Sequence, residues 1–354
     1  MSREISTRLG DALRRQIDAG CAAGIFPGAS ASVARWDGVA WHTREVCGGA
    51  QVEGGEAVTP DTLYDLASLT KPWVSTTALH LYQAGLFAID ASVETLFPEA
   101  SGLPIGAQTW ESVLSHRSGL DAWEPFYANL DAEPGSDEAR ASILADLLPR
   151  WNADNVGVPV YSDLGYILAG MAMARATGES LEALVEVRVA APLGLRDLAF
   201  FGARRPRRGW EASCAPTGTS PWRGRALRAE VNDDNCAALG GVAGHAGMFG
   251  TARAMASFGA SCVAAWHGRR GALEEEAIRL ATAPRPGGSH RLGWDGKSEH
   301  GSAAGARIDA DPIGHLGFTG TSQWSDPRRQ LVNALLTNRV AVYDDNTSIR
   351  AFRP

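Results

Sequence analysis

Strand-forming sequence sits near the two ends of this chain and helix-forming sequence lies between. That leaves few ways to build one sheet. Residues 29–34 (Ala-Ser-Ala-Ser-Val-Ala) alternate as a strand does, Trp36-Asp37-Gly38-Val39 supplies a hairpin turn, and 39–46 continue as a second strand. Far along the chain, 314–325 and 330–338 read as two strands joined at Asp326-Pro327-Arg328. There Val332, Ala334 and Leu336 alternate with Asn333, Leu335 and Thr337, the pattern of a central strand. Leu9, Leu13, Ile17 and Cys21 recur at four-residue spacing and predict an amphipathic helix over 7–23.

Between the two strand regions, Gly and Pro punctuate helical segments at 73–84, 110–115, 142–148, 164–177 and 181–189. Helices at 253–266 and 273–281 lead into the closing strands. The Arg- and Pro-rich stretch 203–228, with arginines at 204, 205, 207 and 208, reads as a solvated loop or irregular hairpin. The outline is α+β: an antiparallel sheet flanked by helices, assembled from 1–66 and 236–354, with an all-helical region at 67–235 and a cleft where the two lobes meet.

Composition narrows the function classes. The 354 residues are 45% hydrophobic and 21% charged, an ordinary globular balance, and the net charge of −7 gives no basic footprint for a nucleic-acid partner. Five scattered cysteines form no CxxC pair, so reduced thiols are expected rather than disulfides or a metal centre. The opening residues mix charges without an apolar core, and no run of about 18 apolar residues occurs. A cytoplasmic protein with no membrane association is the expectation. Of the 33 basic residues only Lys71 and Lys297 are lysine, which makes each worth explaining.

Lys71 stands in Ser68-Leu69-Thr70-Lys71-Pro72. Proline is tolerated only in a helix's first turn, so Pro72 predicts a helix starting near Ser68. Residues three apart share a helix face, which brings the Ser68 hydroxyl within reach of the Lys71 amine. Serine is a weak nucleophile until a neighbouring base takes its proton. A desolvated lysine can be that base; arginine cannot.

Tyr161-Ser162-Asp163 enters the helix at 164–177 and can present a phenol and a carboxylate to the same cleft, the carboxylate holding Lys71 or a substrate amide. In Gly314-His315-Leu316-Gly317-Phe318-Thr319-Gly320-Thr321 the glycines allow close backbone approach to a ligand, and a free N–H can complete an oxyanion hole. His315 is open to two roles, binding a substrate carboxylate or assisting the tyrosine. Gly240-Gly241-Val242-Ala243-Gly244-His245-Ala246-Gly247 lacks the Lys-Ser/Thr ending of a phosphate loop and reads as a tight corner near the cleft. His245 leaves a Ser–His–Asp triad as an alternative, although no Gly-x-Ser-x-Gly elbow surrounds Ser68. Asn232-Asp233-Asp234-Asn235 lacks the spacing of a Ca²⁺ loop.

In this order these elements resemble the serine β-lactamase and penicillin-binding-protein superfamily, in particular the class C β-lactamase-like serine hydrolases. The resemblance is carried by Asp65-Leu66-Ala67-Ser68-Leu69-Thr70-Lys71, Leu114-Ser115-His116-Arg117-Ser118-Gly119-Leu120, Tyr161-Ser162-Asp163-Leu164-Gly165-Tyr166, Gly241 to Gly247, and His315 to Thr321. It implies a β-lactamase-like two-lobed fold. It also implies Ser68 as the acylated nucleophile, Lys71 and Tyr161 sharing general acid and base work, and an oxyanion hole from the N–H groups of Ser68 and Phe318. Asp163, His315, Gly317 and Phe318 would support the substrate.

Two positions depart from the better-known members: Asp163 where they carry Asn, and His315-Leu316-Gly317 where β-lactamases carry Lys-Thr-Gly. The expected function is therefore a serine hydrolase acting through an acyl-enzyme on small esters or D-amino-acid amides, with β-lactams as poor substrates. An acyltransferase and a catalytically silent binder of cell-wall fragments are the alternatives. No metal or organic cofactor is expected, the partner is a small acyl substrate, and the oligomeric state is left open.

Overall fold

The computed structural model describes residues 3–202, 209–342 and 348–353. Its main sheet has five antiparallel strands in the spatial order Ile313–Leu316, Ser322–Asp326, Leu331–Thr337, Gly28–Trp36, Trp41–Gly49. The first strand therefore lies between the last strand and its own hairpin partner, with Ala29 opposite Thr337 on one side and Gly48 on the other. The alternation expected at 332, 334 and 336 holds: these three are buried, whereas Asn333 and Leu335 are only partly covered.

The segment 314–325 is not one strand. A turn at 317–321 divides it, since Gly320 sits at φ +99°, where a side chain would be strained, and a Cβ on Gly317 would overlap the Leu66 carbonyl oxygen. The result is a strand, a cleft-facing turn and a second strand.

The opening helix, Arg3–Ala22, lays Ile17 against Ala29, Ala31 and Phe26 on one face of the sheet. Ala252–Trp266 covers the other face, with Thr251 as its N-cap. The intervening region is mostly helix but carries short ribbons too. Ser118–Leu120 pairs with Trp151–Val156, and Pro216–Ser220 with Arg225–Arg228. Leu198–Phe200 and Tyr64–Asp65 flank Met248–Gly250 in a three-stranded sheet. The hairpin at 216–228 answers to part of the Arg-rich stretch; arginines 204, 205, 207 and 208 lie outside the described residues.

The helix Thr70–Gln83 follows a 3₁₀ turn at Ala67–Leu69, so Pro72 falls in the first α-turn, as its missing N–H requires. It is buried almost all round, the mark of a core helix whose position is fixed by packing. Trp73 stacks on Phe258 at 3.9 Å between ring centroids, and Phe258 stacks in turn on Trp294 at 5.6 Å. On the opposite side Ser75 hydrogen-bonds the Tyr166 hydroxyl at 2.8 Å, and that hydroxyl donates to the Leu114 carbonyl at 2.8 Å. This locks Thr70–Gln83 to the helices Trp110–Leu114 and Asp163–Thr177. No helix among the described residues is long and apolar enough to cross a membrane.

Candidate active site

Ser68 sits where the short strand Tyr64–Asp65 turns into the buried helix. The turn is strained: Ala67 has φ +47°, a left-handed conformation that costs a non-glycine residue about 1–3 kcal/mol unless its surroundings impose it. Here they do. The Asp65 carboxylate accepts the Ala67 N–H at 2.8 Å, the Thr319 hydroxyl donates to the Asp65 carbonyl at 2.6 Å, and the Thr321 hydroxyl donates to the Leu66 carbonyl at 3.1 Å. The turn after Leu316 thus clasps the Ser68 turn directly.

One helical turn on, the Lys71 ammonium donates to Ser68 Oγ at 2.8 Å and to Asp163 Oδ1 at 2.6 Å. It reaches the His245 carbonyl at 3.4 Å and lies 4.7 Å from the centre of the Tyr161 ring. The lysine is fully buried. Burial pulls its pKa down, but the Asp163 carboxylate, helped by Tyr161, more than offsets this, and the net shift is upward. Desolvation alone does not set the state of the lysine: the Asp163 carboxylate, one of the two partners anticipated for it, favours the charged ammonium in this structure. Asp163 opens the helix Asp163–Thr177, where a carboxylate also suits the positive end of the dipole.

Burial raises the Tyr161 phenol above its ordinary value, against the opposing pull of Lys71, so the ring stays protonated at neutral pH. Three imidazoles surround it: His116, His290 and His315, with ring centroids 4.7, 5.4 and 5.8 Å away. Each is pushed below the usual histidine range, burial being the largest cause in all three. His116 is a buried residue at φ +61° whose Nδ1 accepts the Ser162 N–H at 3.0 Å, which orients the segment carrying Tyr161. The motif around His116 is visible in the sequence without marking that residue as part of the site, and nothing in the sequence marks His290.

His315 donates from Nδ1 to the Leu316 carbonyl at 2.7 Å, and burial pulls its pKa down to about 3. At neutral pH it is uncharged and offers Nε2 as an acceptor. Of its two anticipated roles, a charged clamp on a carboxylate does not fit this environment. Gly317 and Phe318 border the cleft, with the Phe318 side chain 55% exposed. Arg353 donates to the carbonyls of Gly317 and Thr321 at 2.9 and 2.8 Å, and Arg339 donates to that of Phe318, which steadies the turn from behind.

The cleft measures about 770 Å³ and is lined by Ser68, Tyr161, Asp163, His290, His315 and Phe318 among others. His245 is not among its walls. Its imidazole bonds Asp233 at 2.9 Å, so the alternative triad has no geometry to support it. Among the described residues no group of His, Cys, Asp and Glu is arranged to hold a metal.

A family model described as Beta-lactamase matches residues 13–352. The chain belongs to the beta-lactamase family. Among its relatives, the esterase EstB of Burkholderia gladioli is 36% identical over 193 residues, which are 51% of this chain and 48% of that protein. The match thus spans about half the length of that relative. A putative D-alanyl-D-alanine carboxypeptidase of Escherichia coli (strain K12) is 24% identical over 314 residues, 82% of this chain and 72% of that one. The solved structure of a class C beta-lactamase, 18% identical, superposes with a TM-score of 0.76 across 100% of this chain and 97% of its own. This family member therefore has the class C beta-lactamase fold.

Proposed function

We propose that this beta-lactamase-family chain is a serine hydrolase that forms an acyl-enzyme on Ser68 and releases it to water, acting on small esters or D-amino-acid amides. The observation that carries the reading is the buried Lys71 ammonium, held between Ser68 Oγ at 2.8 Å and Asp163 Oδ1 at 2.6 Å. A charged lysine cannot take the serine's proton, so it must first lose its own.

Asp163 supplies the place. Its side chain is 19% exposed in the open cleft. A bound substrate displaces the remaining water, and desolvation favours the neutral pair, Lys71 amine with Asp163 carboxylic acid, over the ionic one. The free amine then accepts the Ser68 proton as Oγ bonds to the acyl carbon. The carbonyl oxygen takes up the negative charge and is received by the N–H groups of Ser68 and Phe318. Tyr161 gives its proton to the departing alcohol or amine and regains one from Lys71. Water repeats the sequence on the acyl-enzyme, with Tyr161 and Lys71 exchanging the acid and base parts.

A neutral His315 in the position of the family's lysine favours substrates without a carboxylate at that point. Purified protein assayed against p-nitrophenyl esters, D-Ala-D-Ala peptides and nitrocefin tests the reading. Ester turnover with a transient mass adduct on the Ser68 peptide is expected. Turnover without any adduct, or none on all three substrate types, would overturn it.

A further inference from the structure

The acyl-enzyme reading gives no role to two buried titratable side chains, those of Asp65 and His245, or to the half-buried Asp233 that bonds the histidine. They lie beside Ser68 and in the two motifs that neither a phosphate loop nor a calcium site explains. We propose that Asp65 and the Asp233–His245 pair are positioning residues, forming a strap that holds Ser68 and Lys71 in reacting register. The inference rests on Ser68 being the nucleophile.

The strap can be traced bond by bond. Asp65, 3% exposed, uses one carboxylate oxygen to accept the Ala67 N–H at 2.8 Å, which holds the left-handed residue directly before Ser68. Its other oxygen accepts the Asn232 N–H at 2.7 Å. The next residue, Asp233, accepts the Cys236 N–H at 2.7 Å and the His245 Nε2–H at 2.9 Å through Oδ1. His245, 1% exposed, completes the circuit by offering its carbonyl to the Lys71 ammonium at 3.4 Å. A Cβ on the neighbouring Gly244 would overlap the Tyr166 carbonyl oxygen, so the corner packs directly on the helix that begins at Asp163. Arg223 backs the loop by donating to the Asn232 carbonyl and the Asp234 carboxylate, both at 2.9 Å.

The chemistry of Asp65 speaks for geometry rather than mere cohesion. A carboxylate accepts two N–H groups arriving from different directions, which neither a hydroxyl nor a single amide oxygen reproduces. Burying an anion is unfavourable unless its hydrogen bonds are well made. What these bonds secure is the relation between two chain segments far apart in sequence, one carrying the nucleophile and the other the carbonyl that steers the base.

The test uses Asp65→Asn, Asp233→Asn, Asp233→Ala and His245→Gln in the full chain, with kcat and KM on a p-nitrophenyl ester, the rate of Ser68 labelling by a fluorophosphonate, and thermal midpoints. Displacing reacting groups by a fraction of an ångström to 1 Å costs up to about 10²-fold in rate. Asp65→Asn and His245→Gln should therefore lower kcat and the labelling rate by roughly 10–100-fold, leave KM within about twofold, and still label completely at long times. Asp233→Asn, which keeps an acceptor for His245, should retain clearly more activity than Asp233→Ala. Asp65→Asn combined with His245→Gln should cost less than the product of the single losses, because either change opens the same circuit.

Unchanged kcat in Asp65→Asn, or losses that follow only the thermal midpoint, would sink the strap. Ser68→Ala run in parallel separates the two failures: labelling that survives in that variant defeats the acyl-enzyme reading itself.

Discussion

Lys71 and Asp163 meet as an ion pair at 2.6 Å, the lysine fully buried and the carboxylate facing the cleft. The family's better-known members place an amide at position 163, so a carboxylate facing Lys71 is a departure whose effect can be measured. Asp163→Asn removes the main cause raising the Lys71 pKa. The lysine's pKa should fall and its neutral fraction at a given pH should grow. Asp163→Asn also removes the group that takes the lysine's proton, so kcat in the variant should require Lys71 to lose its proton to solvent and should climb with pH, measured from pH 5 to 10 on a neutral ester, while the native enzyme shows no such dependence on lysine deprotonation. Identical profiles for the two proteins would show that Asp163 does not govern Lys71.

Lys71→Arg keeps the charge but cannot take a proton. It should lose nearly as much activity as Lys71→Ala, ~10²–10⁴-fold for a positioned base. Steady-state kcat decides; an Arg variant with most of its activity would assign the base role to Tyr161 alone.

Ser68→Ala should abolish the mass adduct formed with a slow acylating ester or a penicillin. Intact-protein mass spectrometry followed by peptide mapping reads this. An adduct that persists, or one that maps to Ser115 or Ser322, would relocate the nucleophile.

His315, with its pKa near 3, has no titration between pH 5.5 and 8.5. KM for a carboxylate-bearing ester and for a matched neutral ester should therefore both stay flat over that window. His315→Lys should improve only the anionic one. A steep rise of KM with pH confined to the anionic ester would mean that the histidine is charged when substrate is bound.

Trp73→Ala removes the ring by which the helix Thr70–Gln83 stacks on Phe258. Loss of a large buried aromatic costs about 3–5 kcal/mol. Urea titration should show that decrease with an unchanged m-value, and a loss under about 1 kcal/mol would mean that the core collapses into the gap.

Much of this arrangement was legible because its signals are local. The Ser68–Lys71 contact follows from three-residue spacing on a helix, and Pro72 marks where that helix starts. The first and last strands carry their alternation openly. Of the imidazoles around Tyr161 only His315 was legible, from its glycine-rich motif; His116 and His290 come from separate segments that only the tertiary fold gathers. The division of 314–325 was hidden for a different reason: its glycines suit a strand near a ligand as well as a turn, and only the approach to Leu66 decides between them. The role of Asp65 emerges only with Asn232 in view, 167 residues away.

The strand order has a consequence for how the chain comes to be folded. The Gly28 N–H bonds the Asn338 side chain across 310 positions of sequence, and the first strand finds its second neighbour only in 331–337. During synthesis the opening hairpin must wait, one edge unpaired, until residues 331–337 have left the ribosome. Pairings so distant make for slow folding, and an open edge in the meantime invites association with other nascent chains. The Ser68 turn is clasped by Thr319 and Thr321 from that same late segment. A partly synthesised chain can carry Ser68, but it cannot yet hold the turn that presents it.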